Sequence, residues 1–141
     1  ILQDEVSEMR AKMRHNHGTQ ITQGGLGPNA FNSDVQFDLK QDAGGIVDIE
    51  FMVQYAVLAW SWQYPQLATY TDNIRILDGL GAENLLDVDL VHILQEAYKA
   101  YRAAAHRLAL QKQQGVVEGN LFINERHAVM DVWQALGLSY L

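Results

Sequence analysis

Leu2, Val6, Met9 and Met13 recur at spacings of three and four near the head of the chain, with Asp4, Glu5 and Glu8 early and Arg10, Lys12 and Arg14 late. Apolar residues one turn apart, with acids leading and bases trailing, predict a helix ending near Gly18 whose charges complement the helix dipole. From Thr19 to Asp34 that period stops, and Gly24, Gly25, Gly27 and Pro28 lie among polar residues. Such a composition favours turns and mobility over packing, so a flexible loop is predicted. Val35, Phe37 and Leu39 then alternate with Gln36, Asp38 and Lys40. This is the period-two pattern of a short half-buried strand, and no second strand is evident to pair with it.

After Gly44 and Gly45, the run from Ile46 to Trp62 carries only Asp48, Glu50, Gln54 and Ser61 as polar residues. A helix this apolar is buried on most sides, with Ile49, Val53, Val57 and Trp60 on its core face. It falls short of the roughly 20 apolar residues that a bilayer requires and opens with two carboxylates, so it is no membrane span. Pro65 ends it, and Thr71 is the expected N-cap of a short helix holding Ile74, Leu77 and Leu80 and stopped by Gly81. Leu90, Leu94, Ala97, Tyr101, Ala104 and Leu108 mark one face of a long helix closed by Gly115, with Asp87 or Asp89 as its N-cap. Asn124 is placed to cap a last helix carrying Val129, Trp133 and Leu136. The predicted fold is all-α, a bundle of about five helices, with a short strand on its N-terminal side. Residues 1–43 read as a junction of helix, loop and strand, and residues 44–141 as the bundle, with the core starting at Gly44.

Composition narrows the picture. With 141 residues and 48% hydrophobic content the chain suits one core. It has no cysteine, which excludes disulfides and thiolate metal sites and fits a reducing, cytoplasmic setting. It opens Ile1-Leu2-Gln3 with a helical pattern already running, as though cut from something longer. A formal charge of -7 with scattered basic residues argues against a nucleic-acid partner.

The stretch from Phe37 to Phe51 holds the strongest candidate chemistry: a strand ending in Lys40, a glycine turn at Gly44 and Gly45, and the start of the buried helix. Backbone N–H groups at a helix start, with glycines that permit close approach and a lysine nearby, can hold a phosphate. The plainer reading is that the glycines make the turn, Lys40 is a solvated strand end, and Asp48 and Glu50 complement the dipole. Asp48 would also repel a phosphate unless a cation intervened. At 100° per residue, Asp48 and Glu50 project about 200° apart and cannot face one ligand together. His15 and His17 lack a third metal ligand, His92 and His106 stand 14 residues apart on one helix, and His127 has no evident partner. Tyr98, Tyr101, Trp60, Trp62 and Trp133 fall at helical spacing and read as core, not as base-stacking platforms.

Lys40 to Phe51, written K-x-D-x-G-G-I-x-D-I-E-F and followed by Gln54-Tyr55, resembles the motif that follows the nucleotidyltransferase domain in glutamine synthetase adenylyltransferases. A looser version is found in the uridylyltransferase that modifies the PII signal protein. Val6-Ser7-Glu8-Met9-Arg10, Asp72-Asn73-Ile74-Arg75-Ile76-Leu77 and His106-Arg107-Leu108-Ala109-Leu110-Gln111 resemble flanking segments of that family. The Gly-rich loop from Thr19 to Asp34 looks longer than the family's. The resemblance implies the helical domain after the second transferase domain of an enzyme that moves AMP from ATP to a tyrosine of glutamine synthetase and removes it again, with residues 1–43 as the junction to that transferase domain and the strand Val35 to Lys40 left over from its sheet. It implies ATP and magnesium for that longer enzyme and none bound to this stretch alone. Its implied partners are the preceding transferase domain, glutamine synthetase and the PII protein, with no membrane. The resemblance places Lys40, Asp42, Gly44, Gly45, Asp48 and Glu50 beside the nucleotide. The alternative is a non-catalytic regulatory module that binds glutamine synthetase or the PII protein.

The family's transferase domain uses a Gly-Ser pair and a strand-borne D-x-D to hold metal ions. No Gly-Ser pair occurs here, and Asp87-Val88-Asp89 sits at a helix start, so no catalytic or metal-binding residue is assigned. The chain by itself is therefore expected to fold as a mainly helical protein without adenylyl transfer activity. Transfer of label from ATP to glutamine synthetase by this chain alone would overturn that expectation.

Overall fold

The structure is a computed structural model that describes residues 1–20 and 22–140. Ile21 in the Gly-rich loop and Leu141 lie outside the described residues. Among those described, the chain forms α1 (Leu2–His17), β1 (Gln36–Asp38), α2 (Ile46–Trp60), a 3-10 turn (Pro65–Ala68), α3 (Asn73–Ala82), α4 (Val88–Leu110), β2 (Val116–Glu118) and α5 (Ile123–Ala135). The architecture is the expected mostly helical bundle of five helices. No described helix is long and apolar enough to cross a membrane.

The apolar run of α2 places that helix at the centre, packed against α1, α3, α4 and α5. Ile49 and Val53 are buried, while Val57 and Trp60 are only half-buried, because the end of α2 and the turn after it reach the surface at Leu58 and Trp62. Leu77 and Leu80 of α3, Leu94, Ala97, Tyr101 and Ala104 of α4, and Val129 and Trp133 of α5 close around it. The face predicted for the long helix is thus the one that packs. Asp87 caps α4, its carboxylate accepting from the Asp89 N–H at 2.8 Å.

Other expectations are corrected. In α1 the buried face is Val6, Ser7, Arg10, Ala11 and Arg14, while Met9 is 62% exposed. An apolar periodicity could not show this, because two of the buried residues are arginines. The core also begins ahead of Gly44, since Val6, Phe37 and Leu39 share one cluster with the helices.

The strand is not unpaired: β1 runs antiparallel to β2, with Phe37 opposite Val117, and the Leu39 N–H extends the ladder to the Gly115 carbonyl at 3.0 Å. Val116-Val117-Glu118 is too short to show an alternation, so its pairing is decided by where α4 and α5 bring it. Phe37 is buried edge-on to Tyr101 of α4, with ring centroids 5.8 Å apart. The Asp38 N–H, on the other edge of β1, is taken by the Asp42 carboxylate at 2.8 Å.

The Gly-rich segment is packed, with Thr22, Gly24, Gly25 and Ala30 buried. Its anchor is Arg126 of α5, about a hundred residues away in sequence, which composition cannot reveal. The N-cap of α3 is Asp72, not Thr71, accepting from the Ile74 N–H at 2.8 Å. Asn124 lies inside α5, whose cap is Phe122 in the left-handed region. The Phe122 ring packs edge-on to Tyr101 with centroids 5.4 Å apart, so tertiary contact sets that helix start. Gly81 lies within α3, and Gly115 belongs to the β2 ladder.

Ile49→Ala should lower folding free energy by about 2 to 5 kcal/mol, the cost of a large-to-small change in a closed core. Leu58→Ala, on the same helix but 63% exposed, should stay within roughly 0.5 kcal/mol of the starting protein. Urea unfolding of both variants checks the pair, and equal effects would mean that α2 is not central.

Candidate functional site

Four of the six residues expected beside a nucleotide are buried. Asp48 is fully enclosed, and Arg10 from α1, also fully enclosed, donates Nε–H to Asp48 Oδ1 at 2.5 Å. Arg10 Nη2 donates to the carbonyl of Gln41 at 2.6 Å, tying α1 to the turn before α2. Asp48 Oδ2 accepts from the Gly44 N–H and from the Tyr140 hydroxyl, each at 2.7 Å. Burial raises the tyrosine pKa well above its usual value, and the adjacent Asp48 charge adds to it. Arg14 lies over the Tyr140 ring at 5.4 Å, and burial lowers its pKa, helped by the neighbouring Arg10 charge.

Asp42 works in the other direction along the chain. Its carboxylate accepts from the Thr19 N–H at 2.8 Å, the Thr19 hydroxyl at 3.0 Å and the Asp38 N–H, so it holds the start of the Gly-rich segment against β1. Burial raises the Asp42 pKa, and these donors work against the rise. Arg126 closes the far side. It donates to the carbonyls of Ala30 at 3.1 Å, Gly119 at 3.3 Å and Gly25 at 3.4 Å, and its guanidinium lies 4.2 Å from the Phe31 ring centre and 4.0 Å from that of Phe37.

The backbone of the glycine turn is equally occupied. Besides Gly44, the N–H groups of Gly45, Ile46 and Val47 donate to the carbonyls of Asp42, Leu39 and Lys40 at 3.0, 2.9 and 3.0 Å. The idea that free N–H groups here cradle a phosphate is therefore corrected, since the first donors of α2 are satisfied within the turn. Gly44 has φ of +83°, and a Cβ on Gly45 would stand 2.6 Å from the Leu39 carbonyl oxygen. Both glycines are needed for the turn itself.

Lys40 and Glu50 are the two that reach the surface. The 200° separation on α2 that sends Asp48 inward sends Glu50 outward, where it lines an open depression of about 390 Å³ with Lys40, Ile46, Arg102, Ala105 and His106. Arg102 and His106 stand one turn apart on α4. Arg102 Nη1 donates to the Tyr98 hydroxyl at 3.1 Å with its guanidinium 5.5 Å from the ring centre. That hydrogen bond is the main reason the Arg102 pKa is raised. Sequence reading missed Arg102 and weighed His106 only as a metal ligand. A basic pair at i and i+4 was the available signal, but which element it faces depends on helix packing.

The remaining histidines scatter: His92 pairs with Glu96 at 3.9 Å, His127 stacks on Phe31 at 4.4 Å, and His15 and His17 lie exposed at the end of α1. Among the described residues no group of three or more His, Asp or Glu could hold a metal ion.

Residues 7–138 match the sequence model of the family described as GlnD PII-uridylyltransferase. The chain is 63% identical over 137 residues to the bifunctional glutamine synthetase adenylyltransferase/adenylyl-removing enzyme of Pseudomonas aeruginosa, covering 97% of this chain and 14% of that protein. It is 64% identical over 139 residues to the enzyme of the same name from Pseudomonas syringae pv. tomato, covering 98% and 14%. A more distant relative of that name, from Mannheimia haemolytica, is 38% identical over 135 residues, covering 96% and 13%. The chain thus spans about a seventh of the length of these curated relatives.

Arg10→Met should lower stability by about 3 to 5 kcal/mol, because it leaves the Asp48 charge buried without its cation. Adding Asp48→Leu should recover only part of that loss, since it removes the unpaired charge but leaves the Gly44 N–H and the Tyr140 hydroxyl without their acceptor. Denaturant unfolding of the single and double variants is the measurement. A neutral single variant would mean that water reaches the pair.

Proposed function

The chain belongs to the GlnD PII-uridylyltransferase family, and on that footing we propose that it is a helical module of a cytoplasmic enzyme that transfers AMP from ATP to a tyrosine of glutamine synthetase and reverses the transfer. Its relatives carry that enzyme's name over nearly all of this chain. In this reading the chemistry and its ATP and magnesium belong to a preceding transferase domain, which supplies the Gly-Ser pair and strand-borne D-x-D. This chain backs that domain. The observation that carries the reading is Lys40: it stands exposed at the mouth of the depression while Asp42 and Asp48 of the same motif are engaged in the interior. A lysine so placed neutralises phosphate charge at the edge of the nucleotide site, and Glu50 beside it contributes to orientation. Asp42, Gly44, Gly45 and Asp48 act by holding the turn that presents Lys40. In phosphoryl chemistry positioning and charge neutralisation supply most of the rate, so a support outside the metal site contributes.

A second reading, a regulatory module that binds glutamine synthetase or the PII protein without touching nucleotide, is favoured by one feature. A depression of about 520 Å³ between α4 and α5, lined by Ile93, Ala97, Ala100 and Ala128 among others, offers an apolar surface away from Lys40.

In a protein containing the preceding transferase domain, Lys40→Ala should lower kcat/KM for adenylyl transfer about ten- to a hundredfold, the worth of one charge-assisted contact, with the unfolding midpoint unchanged. Titration of ATP and magnesium against the variant separates the readings. An unaltered rate and ATP dependence would leave Lys40 a surface lysine and favour the regulatory module.

A further inference from the structure

The surface of this protein is acidic, and one depression is not. Of ten Lys and Arg residues, Arg10, Arg14 and Arg126 are buried, leaving seven outside; of seventeen Asp and Glu residues only Asp42 and Asp48 are buried, leaving fifteen. Against that background Lys40, Arg102 and His106 meet around one carboxylate, Glu50. Four other depressions among the described residues either balance Arg75 with Asp78 or hold carboxylates without a Lys or Arg. Charges so grouped focus a positive potential where the molecule as a whole repels anions.

We propose that Arg102 and His106 of α4 complete, with Lys40, a binding site for a phosphate group. This rests on the reading of Lys40 as nucleotide-adjacent and adds the two residues that sequence did not place there. Arg102 is suited to the task because one of its N–H groups is committed to Tyr98, which itself accepts from the Asn73 amide at 3.0 Å. A guanidinium held in this way keeps its other donors for a planar fork of phosphate oxygens and loses little freedom in using them. His106 adds a further donor one turn along. Within the lining Glu50 balances one cation and leaves net positive charge for a phosphate, while Asp72, outside it, also acts on Arg102. The lining contains no Phe, Tyr or Trp, and its apolar residues are Ile46 and Ala105, so charged groups dominate what it offers a ligand. The chemistry is therefore that of a phosphate, either the terminal groups of a nucleoside triphosphate or free orthophosphate.

The 141-residue chain has its own closed core and serves for the test. Inorganic tripolyphosphate, ATP without metal, and orthophosphate are titrated separately while NMR follows the His106 imidazole and the Arg102 Nε–H. Saturable shifts at both groups are expected, with Arg102→Gln and His106→Gln each weakening binding about tenfold. Lys99→Gln, an exposed lysine on the same helix outside the depression, should leave it unchanged. Tripolyphosphate and ATP binding more tightly than orthophosphate identifies the triphosphate as source, and the reverse order identifies free phosphate. Absence of a saturable shift with all three, or equal loss in the Lys99 variant, overturns the proposal. Failure here with reduced transfer in Lys40→Ala would sink the phosphate site alone. Phosphate bound at Arg102 and His106, with normal transfer in Lys40→Ala, would sink the nucleotide-adjacent reading of Lys40 instead.

Discussion

Arg10 and Asp48 meet at 2.5 Å where neither side chain reaches solvent, and much of the molecule is arranged to make that meeting tolerable. Removing two charges from water costs several kcal/mol for each ion, which is offset only if the remaining lone pairs and protons also find partners. Asp48 finds them in the Gly44 N–H and the Tyr140 hydroxyl, while Arg10 finds them in part, its Nη2 donating to the Gln41 carbonyl and its Nη1 having no hydrogen-bond partner among the described residues. Two of these partners come from the turn ahead of α2 and the third from the segment after α5. The pair therefore demands that α1, the glycine turn, α2 and the segment after α5 be in place together, and the structure is cooperative around it.

A single motif serves two environments because of helical geometry. Asp48 and Glu50 are two residues apart, so one faces the arginines and the other the surface, and the turn ahead of them divides in the same manner. Asp42 binds inward to Thr19 and Asp38, while Lys40 is left outside. A substitution in the inward half acts through folding, whereas one in the outward half leaves these buried contacts intact. Dense motifs of this kind are easily read as a single site when half of their residues are scaffold.

The Gly-rich segment illustrates how a loop is held without a regular element. Arg126 takes two carbonyl oxygens of that segment, those of Gly25 and Ala30, and a third from Gly119 just after β2, and its flat guanidinium lies against Phe31 and Phe37. Gly25 lies close against this group, where a Cβ would stand 3.0 Å from Arg126 Nη2. The glycines that suggest mobility are here the residues that allow close packing. With the β1–β2 ladder beneath it, the segment becomes a wall of the core.

The helical period of Leu94, Ala97, Tyr101 and Ala104, the apolar run of α2 and the family motif were legible in the sequence, because each depends on spacing between near neighbours. The divergence of Asp48 and Glu50 was legible for the same reason. The buried arginines, the β2 partner of β1, the packing of residues 19–34 and the Lys40–Arg102–His106 surface were decided only by tertiary structure. Whether an arginine is solvated or enclosed depends on a carboxylate 38 residues away in Asp48, and whether a three-residue stretch is a strand depends on another that lies nearly 80 residues earlier. Local pattern records what a residue prefers among its neighbours in sequence, whereas the free energy of a buried charge or a short strand is set by groups that only the folded chain brings within hydrogen-bonding distance.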